Sequence, residues 1–121
     1  MNFNKAATPF VKTKLQDYRQ AIARGENEKA FRCLEDAHVI GQQSTYLHCL
    51  THYQMLKHGI AQNDAKEVFG QIFRFVGALT KTATGFIPVG NTGGANVSPF
   101  KSLPISDENQ KILEKINHAQ S

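Results

Sequence analysis

Helix breakers recur along the first part of this chain, and between them apolar residues recur at helical spacing. Thr8 can act as an N-cap with Pro9 at the first helical position, followed by Phe10, Leu15, Tyr18 and Ile22. Arg24 suits a helix C-terminus and Gly25 stops it. A second helix is expected over residues 26–40, with Glu26 and Glu28 in its first turn, Phe31, Leu34 and His38 on one face, and Gly41 as its end. Ser44 or Thr45 opens a third helix running to Ala61. Asn63 or Asp64 starts a fourth, where Asp64 and Glu67 have capping-box spacing and Gly85 is the stop.

Short connections force neighbouring helices to fold back on one another. The expected fold is therefore all-α: two antiparallel helical hairpins forming a four-helix core. Gly25-Glu-Asn-Glu-Lys-Ala30 with Leu34 and Ala37 resembles the turn and second helix of a tetratricopeptide unit. Projected at 100° per residue, the third helix gathers Tyr46, Cys49, Leu50, Tyr53, Leu56 and Ile60 on one face. His48, His52 and Met55 form a second stripe beside it. On the fourth helix Val68, Ile72, Phe75, Val76 and Leu79 make a wide apolar face, flanked by Phe69 and Phe73.

Residues 85–105 hold four of the nine glycines and three of the four prolines, so regular structure should fail there. Phe86, Ile87, Val89, Val97, Phe100, Leu103 and Ile105 are interspersed, which predicts a long ordered loop packed across the helices. Ser106 should cap a short C-terminal helix over 106–119, with Ile112, Leu113 and Ile116 facing inward. Residues 1–8 read as a loose leader. The whole, 1–121, reads as one helical domain.

The net charge of +4 comes from 14 basic and 10 acidic residues. The basic residues are scattered without a run, which argues against a nucleic-acid patch. Cys33 and Cys49 form no CxxC pair. No apolar run reaches the ~20 residues that cross a bilayer, and the start lacks an apolar signal core. The expected location is the cytoplasm, with reduced thiols and no membrane.

Four of the five histidines fall between residues 38 and 58. His48 and His52 are one helical turn apart, so both rings project from one face, as two ligands of a zinc- or copper-type ion would. The 41–44 connection folds His38 toward them as a third ligand. Cys33, Cys49, Met55 and Glu35 are candidate fourth donors, the sulfurs favouring softer ions. The pair encloses Cys-Leu-Thr and so lacks the glutamate of an HExxH metalloprotease. Asn91, Thr92, Gly93, Gly94 and Asn96 can pack over the site and offer carbonyls to the imidazoles. The phosphate motif GxxxxGK[ST] is absent. Glu26, Glu28, Glu35 and Asp36 read as a solvated face, and no nucleophile–base pair stands out.

The stretches Ala37-His-Val-Ile-Gly-Gln-Gln-Ser44, His48 with His52, and Gly90-Asn-Thr-Gly-Gly-Ala-Asn-Val-Ser-Pro-Phe100 resemble a family of short, mostly bacterial proteins of unknown function. The resemblance spans nearly the whole chain. It implies genes lying near heavy-metal resistance genes and carries over no catalytic residue. Three expectations follow, in order. The first is a non-enzymatic transition-metal-binding or metal-resistance accessory protein. The second is a helical interaction module, dimeric or binding a peptide. The third is an enzyme with a site between the histidines and the 85–105 loop.

Overall fold

The structure, a computed structural model, describes residues 1–84 and 104–120, apart from the side chains of Phe75 and residues 78–84. Five α-helices follow one another: α1 (Phe3–Ala23), α2 (Asn27–Gly41), α3 (Thr45–Ala61), α4 (Ala65–Thr84) and α5 (Asp107–Gln120). No strand occurs among the described residues. The α1–α2 and α3–α4 pairs form the two hairpins. Helix α2 also meets α3, and α5 docks against α1 and α2.

Three expected caps form. The Ser44 hydroxyl accepts from the Leu47 amide at 3.2 Å, Asp64 from Glu67 at 3.0 Å and Ser106 from Asn109 at 3.2 Å. Gly25 ends the first hairpin helix with φ +74°, a conformation that glycine adopts without steric penalty. The start of the chain differs from expectation. Residues 3–8 are helical, not a loose leader, and the N-cap is Asn2, whose side chain accepts from the Lys5 amide at 2.9 Å. Pro9 therefore stands inside α1 and forgoes one backbone hydrogen bond. Burial offsets that loss: Ala6 and Ala7 sit inside the core.

Val11, Leu15, Leu34, Ala37, Ile40, Leu47, Met55 and Ile116 make that core. A fully buried leucine or isoleucine such as Leu34, Ile40 or Ile116 stabilises by about 1.5–3 kcal/mol. A polar clasp fastens α5. Buried Lys14 lies 2.6 Å from Glu108 and 3.5 Å from Asp36, and Asn109 donates to Asp36 at 3.0 Å. Asp36, expected on a solvated face, is part of this clasp.

Much of the apolar face expected for α3 and α4 points outward, although Cys49, Leu50, Leu56 and Val68 are half-buried and Leu50 packs on the core. Tyr46 is 66% exposed, and Tyr53 and Ile60 are also exposed, while Leu47, His48, Thr51, His52 and Met55 are buried. On α4, Phe69, Ile72, Phe73 and Val76 are exposed, and Gln71 and Arg74 are buried. The period was readable; the phase depends on which neighbour each helix meets. The 85–105 loop falls outside the described residues up to 103, and with it the placement of Asn91, Thr92, Gly93, Gly94 and Asn96. No described helix is long and apolar enough to cross a membrane.

The α2–α3 junction is tight at Gly41. A Cβ there would lie 2.9 Å from Leu47 Cβ and 3.2 Å from Val11 Cγ2. The Leu47 atom is rooted in its backbone and cannot swing aside. Gly41→Val should cost about 2–3 kcal/mol by overpacking. Gly77 is the contrast: a Cβ added there would meet none of the described atoms within 4 Å, and Gly77→Ala should stabilise by up to about 1 kcal/mol through helix propensity. Denaturant midpoints of both variants check the pair, and equal midpoints would mean that the junction can open at no cost.

Candidate metal centre

The sequence Gln42-Gln-Ser44 turns the chain from α2 into α3 within a few residues. Close approach at Gly41 then lays the last turn of α2 against the first turns of α3. His38 comes from the former and His48 and His52 from the latter. All three are buried, at 3%, 9% and 2% exposure. Their Nε2 atoms converge. His38 lies 3.0 Å from His48 and 3.1 Å from His52, and His48 lies 3.2 Å from His52. The rings tilt steeply against one another, with centroids 4.7–4.9 Å apart, so the contact is made by nitrogen edges and not by stacked faces.

Burial holds the His52 pKa down, to about 4. The nearby Arg74 guanidinium pushes in the same direction and a hydrogen bond with Gln71 pulls against it. His52 is therefore neutral at pH 7, the form that ligates metals. Its other nitrogen, Nδ1, lies 2.6 Å from Oε1 of Gln71, which comes from α4. Gln71 in turn donates through its amide nitrogen to Glu67. Thr51, fully buried between the two α3 histidines, returns its hydroxyl proton to the His48 carbonyl at 2.9 Å.

Among the described residues these three histidines form the one group of close nitrogen, sulfur and carboxylate donors. Cys33, Cys49 and Glu35 lie outside it. Both cysteines are free and half-buried, and burial raises each thiol's pKa, so neither is poised as a thiolate. Met55 is fully buried in the core cluster.

His58 points away from the other histidines. Its Nδ1 lies 3.0 Å from the Tyr18 hydroxyl and its ring packs on Phe31. It borders a cleft of about 400 Å³ whose walls, among the described residues, carry Glu28, Glu35, Asp64 and Glu67 but no lysine or arginine. None of the three converging histidines lines that cleft. An enzyme site between the histidines and the 85–105 loop would need residues beyond those described.

Three residues of α4 have roles here that the sequence does not announce: Glu67, expected only as the capping-box partner of Asp64, Gln71 and Arg74. They sit at i, i+4 and i+7, a polar stripe on α4 that was legible as a pattern. The adjacent apolar stripe is larger and outweighs it.

A family model described as a protein of unknown function, DUF3703, matches residues 5–113. No curated protein and no solved structure matches the chain.

Proposed function

We propose that this chain, which belongs to the family of proteins of unknown function DUF3703, binds one transition-metal ion through Nε2 of His38, His48 and His52. A single observation carries the reading: three buried imidazole nitrogens lie 3.0–3.2 Å from one another. A neutral imidazole nitrogen is either an N–H donor or a lone-pair acceptor. Three atoms sharing two roles always include one like pair, so hydrogen bonding alone leaves one contact repulsive. One cation accepting three lone pairs removes the conflict. A tetrahedral ion with bonds of about 2.0–2.1 Å spaces its ligands by roughly 3.3 Å, near the spacing here.

An all-imidazole set suits zinc or copper. The role that fits is a small non-enzymatic holder of such an ion, an accessory to metal resistance, as the resemblance to proteins encoded near resistance genes implies. The test is elemental analysis of untagged protein beside the His48→Ala/His52→Ala variant. About one metal equivalent in the former and none in the latter is expected for a single site. Negligible metal in both after incubation with zinc(II) and copper(I) would end the reading.

A second reading, a tetratricopeptide-like interaction module, is favoured by the exposed apolar residues of α3 and α4, among them Tyr46, Phe69 and Phe73. Its mark is concentration-dependent self-association or peptide binding that is indifferent to the histidine substitutions.

A further inference from the structure

We propose that Gln71, braced by Glu67, is a positioning residue that sets the protonation pattern of the triad. It holds His52 with its proton on Nδ1, so that the Nε2 lone pair faces His38 and His48.

The placement of Gln71 is odd for packing alone. It is fully buried on a helix that exposes Phe69, Ile72, Phe73 and Val76. Burying an amide is favourable only when its polar atoms are engaged, and both ends are. A carboxylate accepts hydrogen bonds and cannot donate them, so the amide nitrogen of Gln71 must face Glu67. The amide oxygen is thereby turned to His52 Nδ1 at 2.6 Å. An amide oxygen also only accepts, so Nδ1 must carry the proton. A neutral ring protonated at Nδ1 has its lone pair on Nε2.

Glu67 and Gln71 stand four residues apart on α4 and so share a face. Close packing of the hairpin holds Glu67 in place: a Cβ at Gly59 of α3 would lie 3.3 Å from its Cβ and Cγ. Carboxylate, amide and imidazole thus form a chain with one polarity. The consequence for metal affinity rests on the metal-binding reading above, but the tautomer assignment does not.

The experiment uses ¹⁵N imidazole chemical shifts of the metal-free protein together with zinc(II) competition titrations. Three chains are compared: wild type, Gln71→Met, and the exchanged relay Glu67→Gln/Gln71→Glu. In the wild type His52 should carry its proton on Nδ1. Gln71→Met keeps the volume but removes the acceptor, so His52 should redistribute its proton toward Nε2 and zinc affinity should fall about 10- to 100-fold. The exchanged relay still places a carboxylate against Nδ1–H, so it should restore both the tautomer and the affinity. A purely structural glutamine would lower the melting midpoint in Gln71→Met without moving the tautomer. That result, or a wild-type His52 protonated on Nε2, overturns the proposal. Should Gln71→Met fail to fold, the wild-type and exchanged-relay tautomers decide it. Wild type that takes no zinc, with a tautomer that still responds to Gln71→Met, supports this inference and defeats the metal reading instead.

Discussion

Saturating zinc(II) should raise the thermal midpoint of the metal-free protein by roughly 10 °C, and the His48→Ala/His52→Ala variant should show no rise. The size follows from linkage. A ligand that binds only the folded state at one hundred times its dissociation constant stabilises by about 2.7 kcal/mol. For a chain of 121 residues each kcal/mol moves the midpoint by several degrees. The unfolded chain keeps His48 and His52 four residues apart but cannot hold His38 beside them, so it competes poorly. The double variant also loses packing, so the difference between its metal-free and zinc-loaded midpoints is the proper readout. His48→Gln, closer in volume, should give the same answer with less damage. A zinc-induced rise that survives in both variants would place the binding elsewhere in the molecule.

The metal-free protein should lose stability as pH falls from about 6.5 to about 4, with His52 alone contributing roughly 3 kcal/mol. The sign follows from the His52 environment. Its folded-state pKa is lowered to about 4, chiefly by burial, against an unfolded value near 6.5. Between those values the unfolded chain binds a proton that the folded one refuses, so acid favours unfolding. Above pH 6.5 both states are neutral at His52 and the contribution is complete; below pH 4 nothing further is lost there. His58, whose pKa burial also lowers against the pull of Glu67 and Asp64, adds to the loss in the same direction. Denaturant midpoints measured at half-unit steps from pH 7 to pH 4 check this. A flat profile across that window would mean that water reaches His52 and that the triad is not sealed. Bound zinc should hold the plateau to lower pH and then release steeply, because the ligating rings must shed their protons to bind.

Much of this architecture was legible before any coordinates. Helix number, the caps at Ser44, Asp64 and Ser106, and the stop at Gly25 are local events. Each is decided by side chains within a turn of the position they act on. The spacing of His48 and His52 is local in the same sense, and a three-residue turn was enough to forecast His38 as their neighbour. The start of α1 is not local in this sense: Pro9 is a strong local signal for a later start. It was overruled by the burial of Ala6 and Ala7 against distant helices.

What only the tertiary structure decided was phase. On α3 two stripes share one period, one rich in Tyr46, Tyr53 and Ile60, the other holding His48, His52 and Met55. Hydrophobicity alone chose the first, yet the second is buried. The same inversion on α4 brings Gln71 inward and leaves Phe69 and Phe73 outside. A buried imidazole or amide is tolerable only when partners from other helices engage its polar atoms, and those partners lie 10 to 19 residues away along the chain. Composition and periodicity report what each residue prefers alone. The convergence of His38, His48, His52 and Gln71 is a property of pairs, and pairs exist only once the helices have met.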